Sequence, residues 1–221
     1  MSGGLDSAVA AWWARDRSRD LWALTVDYGQ RHRHELRAAA ALAQRLGVRE
    51  HLLQRVDLRG VGGSAPTTGA PVPKGGRPGE GPIPPTYVPA RNSLFLSLAL
   101  GLAEARGAGA LVIGANRIDF SGYPDCRPAF LEAFDHLARV GTRAGVEGAA
   151  PRVLAPLLDL SKGEIVGLGV RLGVPLELTH SCYDPGPGGG HCGACDACLL
   201  RRKGFAEAGV SDPTPYVAGT A

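Results

Sequence analysis

Glycines, hydroxyls and a carboxylate stand together at the start of the chain, where the sequence reads SGGLDS from Ser2 to Ser7. Gly3 and Gly4 allow close backbone approach and positive φ, so successive N–H groups can point at one anion. The residues from Asp6 onward favour a helix with Asp6 at its cap, and a helix N-terminus attracts negative charge. The stretch predicts a phosphate-holding loop, although an ordinary N-cap on a surface helix also fits these residues.

A second group of reactive side chains lies near the C-terminus, where four cysteines follow the spacing Cys-x9-Cys-x2-Cys-x2-Cys. They are Cys182, Cys192, Cys195 and Cys198. Four thiolates give the closed tetrahedral shell of structural zinc, which is the metal we predict. An iron–sulfur cluster and disulfides are the alternatives, and His180 and His191 could replace a cysteine as ligands.

Composition is that of an ordinary globular protein, with 221 residues, 44% hydrophobic and 20% charged. This length predicts one domain with a small appendage. The net charge of +3 suits phosphate-bearing small molecules but is too low for a nucleic-acid surface. The sequence has no apolar run of membrane-spanning length and no signal peptide, so we expect a cytoplasmic protein with reduced thiols.

Short apolar runs alternate with amphipathic stretches along the chain. Strands are predicted at 21–29, 49–58, 110–115 and 152–158, and helices at 34–47, 92–107, 127–145, 161–173 and 199–209. Ser161 and Glu164 form a capping box, and the Gly/Pro-rich residues 60–89 form a long loop. The alternation predicts an α/β fold with a doubly wound, mostly parallel sheet.

Ligands of such sheets bind outside the carboxyl ends of the strands. Four polar segments are predicted to lie on that one rim. They are SGGLDS, VDYGQ (26–30), VPARNS (88–93) and GANRIDFSGYPDCRP (114–128).

With these motifs in place, the sequence resembles the 7-cyano-7-deazaguanine synthases, a family of the queuosine precursor pathway in the PP-loop ATP pyrophosphatase superfamily. SGGLDS fits the whole superfamily, whereas SGYPDCR together with the cysteine cluster indicates this branch. The resemblance extends from Ser2 to about Phe205. It implies an adenine nucleotide alpha hydrolase-like ATP-binding domain at 1–178 and a zinc-binding segment at 179–221 packed on it.

The reaction that the resemblance implies is an ATP-dependent conversion of 7-carboxy-7-deazaguanine and ammonia to 7-cyano-7-deazaguanine, a precursor of a tRNA modification. An adenylated carboxylate and an amide are its intermediates. ATP, Mg²⁺ and Zn²⁺ are the expected cofactors. Whether ATP leaves as AMP or ADP stays open, as does a homodimer, and no direct contact with nucleic acid or membrane is expected.

Chemistry then suggests roles for individual residues. Asp6 and Lys162 are the candidate catalytic residues, Asp6 through magnesium and Lys162 by neutralising phosphate charge, although an exposed first-turn lysine is equally consistent. The candidate nucleotide-binding residues are Ser2, Gly3, Gly4, Leu5, Asp6, Ser7, Ala8, Asp27 and Tyr28.

Substrate recognition needs a carboxylate for the paired donors of a guanine-like base and a cation for the substrate carboxylate. Asp119 or Asp125 is the candidate acid, and Arg91 or Arg127 the candidate cation. The full set of candidate substrate residues is Arg91, Asn92, Asp119, Tyr123, Asp125 and Arg127. Cys126 could react covalently or simply line the site.

Two alternative functions remain at this stage. One is a related enzyme that adenylates the same or another acid and transfers it to a different acceptor. The other is a zinc-ribbon RNA-binding module, for which Arg201, Arg202 and Lys203 beside the cysteines would supply the charge.

In the superfamily a strand inside the sheet leads into the SGGLDS loop, and this sequence does not contain it. We expect that the natural protein begins upstream with about 5 to 6 apolar residues that complete the strand, so that Met1 is internal. Alternatively, a neighbouring segment or a partner chain fills the gap.

Overall fold

The computed structural model describes residues 1–31, 33–76, 82–117 and 122–217. The α-helices in these ranges are α1 (Leu5–Arg17), α2 (His34–Leu46), α3 (Arg91–Arg106), α4 (Pro128–Gly141), α5 (Arg143–Val146), α6 (Lys162–Arg171) and α7 (Asp196–Glu207). The strands are β1 (Trp22–Asp27), β2 (Glu50–Arg55), β3 (Ala110–Val112) and β4 (Arg152–Leu154). Within the described ranges, every helix is too short or too polar to cross a membrane.

The predicted elements are confirmed, with one helix divided in two. The stretch predicted as a helix over 127–145 breaks at Thr142, whose backbone is extended and whose hydroxyl accepts a hydrogen bond from the Gly145 N–H at 2.9 Å. Thr142 thus ends α4 and caps α5. The capping box of α6 is present as predicted, because Ser161 and Glu164 each accept a hydrogen bond from the other's backbone N–H.

The strands pair in parallel, which confirms the α/β fold with parallel strands. β1 pairs with β2, with Trp22 opposite Glu50, and β3 pairs with β4, with Ala110 opposite Arg152. Among the described residues these pairs form two separate two-stranded sheets rather than one continuous sheet.

A cavity of about 490 Å³ lies between the two sheets and is lined by residues of both β1 and β3. We call it the central cavity. Met1 lies beside β1, since its amino group donates to the Leu24 carbonyl and its carbonyl accepts from the Thr25 hydroxyl at 2.7 Å. The additional strand expected to lead into the SGGLDS loop stays a prediction.

The helix that follows the SGGLDS loop is buried in the main core. Leu5 and Val9 of α1 pack with Ile165 and Val166 of α6 and with Phe205 of α7. Burial of each such large side chain contributes about 1.5–3 kcal/mol to folding. Because α1 is fixed on several sides, the loop before it starts from a rigid helix end.

The C-terminal segment is anchored by a buried arginine. Arg201, with a side chain 1% exposed, donates to the Asp212 carboxylate at 3.1 Å, the Thr179 hydroxyl at 2.6 Å and the Leu176 carbonyl at 3.1 Å. Arg201 therefore holds α7 to the chain that precedes the cysteines. The RNA-binding alternative required Arg201 to present its charge to a nucleic acid, and the buried side chain does not do so.

The long loop between β2 and α3 packs against the cysteine cluster. Ala65 and Val72 share an apolar cluster with the four cysteines. The Gly75 N–H donates to the Ala194 carbonyl at 2.9 Å, and the Lys74 ammonium pairs with Asp184 at 2.9 Å. The described part of this loop is thus held on the C-terminal segment. The division of the chain into domains at 178 stays a prediction.

Candidate functional site

The SGGLDS loop is shaped by Gly3, whose φ of +88° is in the left-handed region. A Cβ atom there would lie 2.2 Å from the Glu35 backbone oxygen, so the loop contacts α2 backbone to backbone. The Gly3 carbonyl accepts from the His180 N–H at 2.8 Å, and the Ser7 hydroxyl accepts from the Ser2 N–H at 3.0 Å. These contacts hold the loop at the N-terminus of α1, where an anion is favoured.

The prediction that Asp6 caps this helix is wrong. The N-cap residue is Gly4, so no side chain caps the helix, and α1 begins at Leu5. Asp6 lies in the first turn, and its carboxylate is bound elsewhere.

That carboxylate forms an ion pair with Lys162. The Lys162 ammonium donates to both Asp6 oxygens, at 2.9 and 2.8 Å, and the Asn116 amide donates to one of them at 3.2 Å. The Lys162 side chain is 8% exposed and the Asp6 side chain 25%, so this is not the exposed lysine of the alternative interpretation. A cation at a helix N-terminus is unfavourable, and the Asp6 charge offsets that cost.

The chain after β3 also reaches this loop. A Cβ atom on Gly114 would lie 2.9 Å from both the Asp6 carbonyl carbon and the Ser7 nitrogen. Asn116, which follows, is fully buried and bridges to Leu157. The absence of a side chain at Gly114 therefore lets this segment touch the loop.

Asp27 and Tyr28 are the candidate adenosine residues; Asp27 ends β1 and Tyr28 follows it. Burial raises the pKa of Asp27, but a hydrogen bond and the positive charge of Arg33 outweigh it, so the net shift lowers the pKa below its usual value. Tyr28 is buried, and the centre of its ring lies 5.5 Å from the centre of the Phe95 ring. The Arg91 guanidinium carbon lies 6.0 Å from the centre of the Tyr28 ring. The candidate nucleotide and substrate residues thus adjoin.

The candidate substrate residues divide into two groups. Arg91, Asn92 and Tyr123 line the central cavity, as does Cys126. Asp125 and Arg127 are not among the described residues that line it, and Asp119 lies outside the described residues.

Asp125 already has a structural partner. Its carboxylate accepts from the Asn92 N–H at 2.9 Å in the first turn of α3, and the Asn92 amide donates to the Asp125 carbonyl and the Cys126 sulfur, both at 3.1 Å. This contact fixes the start of α3. Base recognition by Asp125 stays a prediction.

The central cavity joins most of the site. Its lining includes Ser2, Gly4, Leu5, Asp6, Ser7, Tyr28, Arg91, Asn92, Tyr123, Cys126 and Lys162. The SGGLDS loop and these candidate substrate residues therefore border one space. Sequence reasoning missed Glu35, which also lines this cavity, because it gave this residue no chemical role. Its position in the first turn after a strand's carboxyl end was the available signal.

The four cysteines lie together and are buried. Their sulfur atoms are all within 4.8 Å of one another, and those of Cys192 and Cys198 are 4.0 Å apart. Four sulfurs about 2.3 Å from one metal would be about 3.8 Å apart, so the geometry fits a tetrahedral ion. Hydrogen bonds from the Cys182 and Cys198 thiols lower the pKa of Cys195, which favours a thiolate. The arrangement can hold a metal.

Neither neighbouring histidine belongs to this cluster. The His191 ring accepts from the Ser181 N–H at 3.0 Å and lies 4.4 Å from the His180 ring. Among the described residues, the group able to hold a metal consists of the four cysteines alone.

Comparison with known proteins places this geometry in context. The family model described as "Queuosine biosynthesis protein QueC" matches residues 1–209. The chain is 54% identical over 216 residues to "7-cyano-7-deazaguanine synthase 1" of Sphingopyxis alaskensis, covering 98% of this chain and 96% of the relative. It is 57% identical over 220 residues to "7-cyano-7-deazaguanine synthase" of Anaeromyxobacter sp. (strain Fw109-5), covering 98% and 94%.

Among solved structures, that of NMN synthetase from Francisella tularensis matches with a TM-score of 0.48 at 19% identity, covering 100% of this chain and 78% of that chain. A likeness at this level carries no argument about function.

We expect Gly114→Ala to weaken ATP binding about 10- to 100-fold, because the new Cβ displaces the loop backbone and a shift of about 1 Å in a positioning group can have that effect. Isothermal titration calorimetry measures it. Gly109→Ala, in the same segment but facing open space, is the matched control and should bind ATP as the parent does. Equal affinity in both variants would show that the loop does not bind the nucleotide.

Proposed function

The chain belongs to the QueC family of queuosine biosynthesis proteins, and we propose that it converts 7-carboxy-7-deazaguanine and ammonia to 7-cyano-7-deazaguanine at the expense of ATP. The observation that carries the proposal is the central cavity, which brings the SGGLDS loop and Arg91 together. The names of relatives more than half identical over nearly the whole chain support the same substrate.

The chemistry of the reaction explains why both the SGGLDS loop and Arg91 are needed. A carboxylate is a poor electrophile because its charge is delocalised and oxide is a poor leaving group. Attack of its oxygen on the α-phosphorus of ATP forms an acyl adenylate and releases pyrophosphate. Ammonia then displaces AMP to give an amide, and a second activation at the amide oxygen leads to the nitrile. The protein must hold phosphates, position reactants and exclude water.

In our proposal the β- and γ-phosphates lie on the loop. Backbone N–H groups and hydroxyls of Ser2, Gly3, Gly4, Leu5, Asp6, Ser7 and Ala8 would bind them. Asp6 offers the oxygen ligands that Mg²⁺ prefers, and the ion would neutralise phosphate charge there. Once Asp6 is engaged in that way, Lys162 is free to donate to a phosphate oxygen, and its first-turn position directs it to the same place.

We assign roles to the remaining site residues from the groups that lie next to them. Asp27 and Tyr28 would contact adenosine at the end of β1. Arg91 would bind the substrate carboxylate through its planar fork, since its Nε is buried without a hydrogen-bond partner. Asn92 and Tyr123 line the cavity beside it, and Asp119, Asp125 and Arg127 are kept as candidates for the base and carboxylate.

For the cysteine cluster we propose zinc. Four thiolates and no open position are typical of a structural zinc site. The cluster also contacts the long loop and helix α7, so the ion would stabilise the wall of the central cavity. The proposed setting is the cytoplasm, where thiols stay reduced. A homodimer stays a prediction.

We predict one zinc ion per chain by elemental analysis, and its loss from Cys195→Ser together with a lower melting temperature, because structural zinc supplies folding free energy. Cys126→Ser, which removes the cysteine outside the cluster, should keep the metal. Stoichiometric iron with visible absorbance would contradict the assignment.

The function itself is tested by mass spectrometry after incubation with 7-carboxy-7-deazaguanine, ATP, magnesium and isotopically labelled ammonia. We expect the nitrile with the label in its nitrogen, preceded by the labelled amide. Consumption of ATP with no labelled product would favour the enzyme with a different acceptor.

A further inference from the structure

Glu35 lies in the first turn of α2 and lines the central cavity, and no motif assigns it a role. Its own backbone oxygen packs against Gly3, so α2 cannot shift relative to the phosphate loop without breaking that contact. The side chain is therefore held beside the loop by the same packing that shapes the loop.

Polar side chains surround this carboxyl. The Gln30 side-chain oxygen accepts from the Tyr28 N–H at 2.8 Å, which leaves its amide nitrogen to donate to Glu35. Arg91 faces the carboxyl from α3, and Tyr28 faces it from the end of β1. The carboxyl thus lies next to the cation proposed to bind the substrate carboxylate.

These neighbours determine its protonation. Burial raises the pKa of Glu35 to about 7, although Arg91 and Gln30 act in the opposite direction. A carboxyl whose pKa is close to the working pH is charged often enough to accept a proton and basic enough to take it.

We propose that Glu35 is the catalytic base that removes protons from the reacting nitrogen. This inference rests on the proposed function, because it places the substrate carboxylate on Arg91 and hence the attacking ammonia beside Glu35. Glu35 and Arg91 both line the central cavity.

In the amide-forming step, the ammonia nitrogen shares its electron pair with the carbonyl carbon of the acyl adenylate. The bond from that carbon to the phosphate oxygen breaks, and AMP leaves with the electron pair. The nitrogen gives up one proton, which the Glu35 carboxylate accepts and later releases to water.

In the nitrile-forming step, the amide oxygen has attacked a second ATP, releasing pyrophosphate. It then leaves as part of AMP with the electrons of the carbon–oxygen bond. The nitrogen loses its two protons in turn as the carbon–nitrogen triple bond forms, and Glu35 again accepts them one at a time.

The test is Glu35→Gln, which keeps the size of the side chain and removes its basicity. Exchange of labelled pyrophosphate into ATP, driven by 7-carboxy-7-deazaguanine, reports adenylation alone and should stay within about threefold of the parent. The single-turnover rate of amide formation should fall about 100-fold or more, as expected for loss of a general base. Glu132→Gln, an exposed glutamate on α4, is the control and should leave both rates unchanged.

The pH profile separates catalysis from structure. At a constant concentration of free ammonia, the parent rate of amide formation should rise with pH and level off above about 7, where Glu35 is charged. Glu35→Gln should lose this inflection. Because burial disfavours the charged form of Glu35, the parent should lose stability as the pH rises from 4.5 through about 7. The melting temperature of Glu35→Gln should therefore rise relative to that of the parent over this range. The same measurement verifies that the variant folds.

Three results would overturn the inference: a loss in amide formation below about tenfold, a parallel loss of pyrophosphate exchange, or an unchanged pH profile. A parallel loss would mean that Glu35 binds the substrate. Absence of exchange in the parent protein would instead refute the proposed function, and this inference with it.

Discussion

The site depends on one steric constraint: the SGGLDS loop lies against two other backbone segments with no room for a side chain between them. Gly3 contacts the carbonyl of Glu35 on α2, and Gly114 contacts the backbone at Asp6. These approaches bring the start of α1, the start of α2 and the end of β3 into contact. A methyl group at either glycine would push the loop away from its neighbours, and the side chains on those segments would separate.

The ion pair between Asp6 and Lys162 depends on this packing, which positions the loop that carries Asp6. Each residue lies in the first turn of its helix, so the loop geometry sets their distance. Removing one partner of such a poorly hydrated pair leaves a charge that water compensates only in part. A bound nucleotide would bring its own charges to the same place. We infer that the ion pair keeps both side chains in position until phosphate and metal exchange partners with them.

Periodicity and turn residues were enough to predict the strands, the capping box of α6 and the helices, apart from the break at Thr142, because these depend on local sequence. The spacing of the cysteines likewise predicted their cluster. The sequence did not reveal contacts between distant segments. Asp6 was predicted to cap α1 but pairs with Lys162, Asp125 holds the start of α3, and Arg201 is buried. Glu35 was missed for the same reason, since its environment comes from three separate elements.

A crystal structure with a non-hydrolysable ATP analogue tests the central claim most directly. Our account predicts that the β- and γ-phosphates accept hydrogen bonds from the backbone of Ser2 to Ser7. It also predicts that the Lys162 ammonium has moved from Asp6 to a phosphate oxygen. A triphosphate bound outside the central cavity, with the Asp6–Lys162 ion pair unchanged, would contradict it.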